Sequence, residues 1–375
     1  MNNRILRITP AEEWTAMFDR TGENDVTWLG ADGIYTIPLN GNDRLGSADD
    51  SSQTFFVFSD TLMGASDKDG RCVVTSRMHN HTAALLDGKT PARDAIEYIY
   101  GYRANRDPER NLFDKALWLF DGVCVGDKIH VFGFPQKDWK PIRIDMIIVP
   151  IVDGVPRCEE YTAIEGIKEL ICTENDDYQY ALGIGITPNT SSAHAPAPDG
   201  YIYFYGYRDA LKEFSRKDLI AARIPEDKFP DFSELRYWNG SEWTDDIRQS
   251  APLISRVSCE MSVTPIPTGK LSGKYIAVFT LDCSSPYMMY SIGESPVGPF
   301  EEPVCFYEAP EHGTLSANGK NQLYTYNAKA HPHLSDDNRL LVSYNKNVSD
   351  MGEQYSVDYH PVFLWLDLDD TDEKL

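Results

Sequence analysis

The strongest constraint on the fold is a repeated arrangement. Short runs with apolar residues at every second position, or apolar throughout, come three or four to a unit between turns rich in Gly, Pro, Asn and Asp. Successive side chains of an extended chain point to opposite faces, so such runs read as β-strands. The first unit covers residues 32–87, with strands expected at 34–39 and 54–58 around a loop too polar to bury, then a further run at 77–86. Four more units follow, at 118–152 (with Gly126-Asp127 as a hairpin turn), 180–243, 259–293 and 324–368. One such unit leaves sheet faces uncovered, whereas five arranged radially cover one another as a β-propeller. The expected fold is therefore all-β, a five-bladed β-propeller spanning 27–375 behind an N-terminal helical extension, 1–26. Within that extension Trp14, Met17 and Phe18 share one face of a short helix at 10–20, opened by Thr9 and Pro10. Brief helices are also expected at 93–100 and 215–222. A β-sandwich with a second β domain would need a linker-like segment, which the sequence lacks.

Charge narrows the partners. With 58 Asp and Glu against 35 Lys and Arg the formal net charge is −23. That balance argues against nucleic acid, whose phosphates must be neutralised by Lys and Arg, and equally against an anionic membrane surface. The seven cysteines are scattered, odd in number and without a Cys-x-x-Cys pair, so they outline neither a disulfide framework nor a zinc site. They read as small buried hydrophobes in a reducing compartment. No apolar signal core opens the chain and no run approaches membrane length. The expected localisation is cytoplasmic, or secreted where a leader has been removed. A P-loop, a dinucleotide fingerprint and a Gly-x-Ser-x-Gly elbow are all missing, which disfavours nucleotide chemistry and serine hydrolysis.

The chemistry that remains is carboxylate chemistry. Asp32 stands between Gly30 and Gly33 at the mouth of a strand, where glycine lets backbone or ligand approach closely. Asp121 follows the apolar run 117–120, and Glu260 lies isolated on a strand of apolar and small residues. A buried carboxylate needs a partner or a task. Their recurrence at comparable strand positions points to a carbohydrate-active enzyme. Glycoside cleavage needs one carboxylic acid to protonate the leaving oxygen and one carboxylate to attack C1 or activate water. Asp60, in a Ser-Asp-Thr turn, is read as shaping that turn or holding a neighbouring side chain near the substrate. Asn327, Lys329 and His331 alternate onto one strand face, where they would bind sugar hydroxyls or tune the acid, and Asn80 is a comparable polar candidate. Trp118 and Tyr180 are candidates to stack on sugar rings. His79 and His81 lack a third ligand at suitable spacing, so no metal is expected.

These residues carry a resemblance. The Asp32 unit, the 118–122 element with Asp121, the Glu260-Met-Ser-Val-Thr element and Ser291-Ile-Gly-Glu-Ser-Pro-Val-Gly-Pro-Phe together resemble the five-bladed propeller glycosidases of the arabinanase, xylosidase and fructosidase superfamily. The likeness is strongest to propeller families known as domains of unknown function, some linked to D-arabinan degradation. Residues 324–332 and the following Leu340-Leu-Val-Ser-Tyr-Asn look like the last blade of those families. The resemblance implies Asp32 as general base or nucleophile, Asp121 as pKa modulator and Glu260 as general acid, although Glu260 falls in the fourth unit where familiar arabinanases use the third. It implies an oligo- or polysaccharide substrate and no required cofactor; a structural calcium is left open without being indicated. Sugar, linkage and oligomeric state are not specified. The alternatives are a glycoside phosphorylase, which would need a basic cluster, and a non-catalytic sugar-binding propeller, which would keep aromatics and dispense with converging acids. Repeat signatures of WD and kelch propellers are missing from the sequence.

Overall fold

The computed structural model describes residues 4–373 apart from 102–103, 138–139, 174–176, 214–215 and 349–354. Its strands are antiparallel and mostly follow one another in sequence. The first sheet contains Tyr35–Pro38, Gln53–Phe58, Thr82–Asp87 and Ile96–Ile99. The second is built on Trp118–Val125, Lys128–Phe134 and Asp145–Val152, with Gly126-Asp127 forming the expected two-residue turn between paired Val125 and Lys128. Tyr178–Asn189, Tyr201–Ala210, Lys217–Pro225 and Arg236–Trp238 lie in the third, and Met261–Pro265, Tyr275–Thr280, Tyr287–Gly293 and Val304–Glu308 make the fourth. The last sheet orders Leu323–Ala330, Arg339–Val348 and Pro361–Glu373, and then returns to Arg4–Pro10. Among the described residues these are the five sheets of four or more strands.

The innermost strand of each sheet packs on the innermost strand of the next. Tyr35–Pro38 meets Trp118–Val125, which meets Tyr178–Asn189, then Met261–Pro265, then Leu323–Ala330. His331 bonds back to Thr36, so the innermost strands enclose an axis. Each sheet buries both faces against its neighbours. Phe132, Phe204 and Leu182 belong to the largest apolar cluster, Val278, Leu340 and Tyr344 to the second, and Trp28, Phe56, Phe58 and Phe363 to the third. The fold is a β-propeller, as the repeated units predict.

Three local expectations are corrected. Thr9 and Pro10 do not open a helix: they belong to the strand Arg4–Pro10, which pairs with Pro361–Glu373 at the edge of the last sheet. The helix is only Glu12–Met17, and it seats Trp14 and Met17 beside Phe18, all at most 1 % exposed, between the first and last sheets. Such burial is worth about 2 kcal/mol per large side chain. The segments 93–100 and 215–222, expected to be helical, hold strands instead, Ile96–Ile99 and Lys217–Pro225; residue 215 itself lies outside the described residues. Leu219, Ile220, Ala222 and Ile224 are buried on both faces there, and ladder pairing with Tyr201–Ala210 outweighs their helical tendency. Lastly, the first unit is split: Thr27–Ala31, Thr61–Ser66 and Cys72–His79 form a separate three-stranded sheet across the mouth of the first.

Candidate active site

Asp32 and Asp60 sit where that small sheet meets the first one. Thr27–Ala31 ends in the pair Ala31–Thr61, so Asp32 directly follows one strand and Asp60 directly precedes its partner. The Asp32 N–H donates to the Asp60 carbonyl at 3.1 Å, and the Ser59 N–H donates to the Asp32 carbonyl at 2.9 Å. The flanking glycines are required by space. A Cβ on Gly30 would lie 1.7 Å from the Tyr359 carbonyl oxygen, and Gly33 has φ +60° with Ser59 against it. Tyr326 donates its hydroxyl to Asp32 Oδ2 at 2.8 Å, and Trp118 donates its indole N–H to Asp60 Oδ1 at 2.7 Å. The Asn80 side chain also hydrogen-bonds Asp60, while the Tyr359 hydroxyl donates to the Asp60 carbonyl at 2.6 Å. Burial, then the neighbouring charges of Asp60 and Glu260, push Asp32 well above the ordinary carboxylate range. Burial likewise raises Asp60 to about 6, against the bonds from Trp118 and Asn80. Both residues retain some exposed surface.

Glu260 reaches the same cluster from the fourth sheet. It directly precedes Met261–Pro265 and is 5 % exposed. Asn327 donates to Oε1 at 2.7 Å and Lys329 Nζ lies 2.6 Å from Oε2. The Tyr35 phenol is also against Glu260, with Lys329 Nζ 4.5 Å from the centre of its ring. Burial raises the Glu260 carboxyl and the Lys329 ammonium opposes that rise. One strand serves both ends of the cluster because it is irregular. Between Tyr326 and Lys329 the pairing shifts, and Asn327 has φ +60°. This bulge lets Tyr326 turn to Asp32 while Asn327 and Lys329 turn to Glu260.

The other expected site residues divide. Asn80 and Trp118 join the cluster through Asp60. Asp121 lines the axial cavity, which all five innermost strands enclose, together with Tyr35, Asp43, Thr187 and Thr264. Its two oxygens accept the backbone N–H groups of Gly122 at 2.8 Å and Ile186 at 2.7 Å, tying the second sheet to the third. Burial nevertheless raises it to about 8. His331 does not present a free imidazole to a substrate. It is fully buried, its Nδ1 within 3.1 Å of Thr36 Oγ1 and its Nε2 within 2.8 Å of Ser343 Oγ, and burial drives its pKa well down. His331 lies just past the end of the strand Leu323–Ala330, where Thr36 of the first sheet holds it. Tyr180 is also removed from the acids, 2 % exposed, with its hydroxyl on the Arg248 carbonyl at 3.2 Å. Sequence reasoning missed Tyr35, Tyr324 and Tyr359, whose phenols sit in the field of Asp32, Asp60 or Glu260. Only the Tyr324/Tyr326 spacing hinted at this, two positions apart on one strand.

The family model described as a domain of unknown function (DUF5005) matches residues 12–367. The chain belongs to that family. No curated protein matches this DUF5005 member. Among solved structures it is similar to a candidate hydrolase from Bacteroides ovatus ATCC 8483, at 16% identity and TM-score 0.67, over 96% of this chain and 89% of that one. It is also similar to a B. megaterium levansucrase variant, at 13% identity and TM-score 0.51, over 95% and 88% of the two chains. A GH43_1 enzyme from Xanthomonas citri complexed with xylose aligns at 11% identity and TM-score 0.46, over 95% and 93%. At these identities the likeness of the DUF5005 chain to the first two is one of fold, a β-propeller of the kind found in glycoside hydrolases.

Proposed function

We propose that this protein is a glycoside hydrolase acting on an oligo- or polysaccharide, with its chemistry in the Asp32–Asp60 pair and Glu260. The five sheets are its five blades, and the reacting sugar enters at the end of the axis where these carboxyls gather. The observation that carries this reading is the convergence of three carboxyl groups from residues 32, 60 and 260 on one cluster, with Tyr326, Trp118, Asn80 and Asn327 bonded to them.

The roles follow from charge. Burial and then the Asp60 charge raise Asp32, which favours a protonated Asp32 beside an ionised Asp60. That is the state glycoside cleavage needs: a carboxylic acid for the leaving oxygen and an ionised neighbour to attack C1 or activate water. The resemblance makes Glu260 the acid; burial raises its carboxyl, while Lys329 at 2.6 Å opposes that rise and favours the charged form. It serves better as a fixed negative charge that keeps the pair's proton in place and stabilises positive charge developing on the sugar. Tyr324, Tyr326 and Trp118 supply the aromatic surface for a sugar ring. The reaction so written uses side chains alone. The resemblance adds a substrate class, a furanosidic, arabinan-like glycan.

Aryl glycosides with good and poor leaving groups test the assignment. Asp32→Asn and Asp60→Asn should each lose at least about 100-fold in kcat/KM on a substrate with a poor leaving group. One of the two should recover most of its rate when the leaving group no longer needs a proton, and Glu260→Gln should show no such dependence. Retention of activity within about tenfold by both aspartate variants would reject the glycosidase reading. Leaving-group dependence in Glu260→Gln would return the acid role to that residue.

A further inference from the structure

Beside Glu260 lies a pair of thiols that the glycosidase reading does not use. Cys259 Sγ is 3.2 Å from Cys283 Sγ, and both are free and partly exposed. The two segments carrying them are fastened together. Arg256 donates to both oxygens of Asp282 at 3.1 and 2.6 Å, and the Asp282 N–H donates to the Arg256 carbonyl at 2.9 Å. Arg256 and Asp282 both have positive φ, 63° and 58°, so the backbone is turned sharply on each side to bring the sulfurs together. Lys217, 7 % exposed and 3.2 Å from Asp209, places its ammonium beside the same pair.

We propose that Cys259 and Cys283 are a redox-modification site, closing to a reversible disulfide when a hydroperoxide reaches them. Cys283 is the attacking sulfur. The hydrogen bond from Cys259 and the Lys217 ammonium bring its thiol down to about 7, whereas burial holds Cys72, Cys124 and Cys158 at about 12, 11 and 12. In the first step the Cys283 thiolate attacks one peroxide oxygen and the O–O bond breaks. Cys283 becomes a sulfenic acid, and the departing hydroxide takes a proton to leave as water. In the second step Cys259, losing its proton, attacks the Cys283 sulfur and expels hydroxide, which takes that proton. Two thiols and one hydrogen peroxide thus become one disulfide and two waters. Sulfur supplies both electrons.

Closure must bring the sulfurs from 3.2 Å to about 2.05 Å. Cys259 is the residue before Glu260, so this movement acts directly on the Glu260 contacts with Asn327 and Lys329. The consequence for activity rests on the glycosidase reading; the thiol chemistry does not.

The full-length protein, reduced and then treated with equimolar hydrogen peroxide, should yield a Cys259–Cys283 linked peptide in non-reducing peptide mapping. Dithiothreitol should remove it. Near neutral pH iodoacetamide should label Cys283 at least about tenfold faster than exposed Cys305, and Lys217→Met should abolish that advantage. Cys259→Ser, unable to close the bond, should leave a sulfenic acid at Cys283 that dimedone traps. Wild-type protein that shows no linked peptide, or that oxidises Cys283 directly to the sulfinic acid, would overturn the proposal. In a glycosidase assay oxidation should reduce wild-type activity at least about tenfold, reversibly, and leave Cys283→Ser unaffected. A linked peptide without any change in measurable activity would overturn the coupling to Glu260. Inactivity of the reduced wild-type protein on every glycoside would instead count against the hydrolase reading, while the peptide map still decides the thiol chemistry.

Discussion

Asp121 gives the clearest pH signature at the scale of single residues. Burial raises its carboxyl from 3.8 to about 8, so the folded chain holds that proton more tightly than the unfolded chain. The stability this contributes is complete below about pH 4 and is lost as pH rises through about 8. Asp121→Asn stays neutral throughout. The melting temperature of the variant minus that of the wild type should therefore increase between about pH 4 and pH 8 and then level off; a flat difference would contradict the protonated assignment. Lys329 is tested by stability in denaturant. Lys329→Met leaves Glu260 buried without its cation and should cost about 3–5 kcal/mol, part of which the double variant with Glu260→Gln should restore. At this scale the sequence marks Glu260 as an isolated carboxylate beside an apolar strand, Asp32 by the glycines around it, and Asn327 with Lys329 by their alternation. It says less of Asp60, whose turn is ordinary until Trp118 reaches it from the next sheet. Nor does it mark His331, whose depth depends on the neighbouring sheet.

Among the elements, the three-stranded sheet of Thr27–Ala31, Thr61–Ser66 and Cys72–His79 decides where the carboxyl pair stands. Gly30 is its tightest point, since Tyr359 occupies the space a side chain would need. Gly30→Ala must push the strand away from Tyr359 and carry Asp32 with it. A destabilisation of about 1–3 kcal/mol is expected in denaturant melts, together with a loss of activity that exceeds what partial unfolding explains. Wild-type stability in that variant would mean that the strand can shift freely. Strand periodicity is legible almost everywhere, and the hairpin at Gly126-Asp127 is legible from turn chemistry. The small sheet is not, because its strands are interspersed along the chain with those of the first sheet, and periodicity does not say which strands pair. The bulge at Asn327 is equally hidden: an alternating pattern says nothing about a residue at positive φ.

For the whole molecule, the last sheet is completed by joining Arg4–Pro10 to Pro361–Glu373. Deletion of residues 1–10 strips that edge, removing Leu6 and uncovering the side chains packed with it. The melting transition should move down and broaden, and hydrogen exchange should rise first in Pro361–Glu373; unchanged exchange there would show that the last sheet does not depend on the strand. The propeller itself can be read from five repeated units, since each needs covering on both faces. This closing pairing cannot, because a single short N-terminal strand carries no repeat. The pairing of Arg4 with Glu373 also puts the first and last described residues side by side. A short bridging peptide would therefore span them, and fresh ends could be opened in the exposed 196–200 loop without cutting a strand. Such a circular permutant would keep every sheet intact while making the seam of the ring a covalent bond.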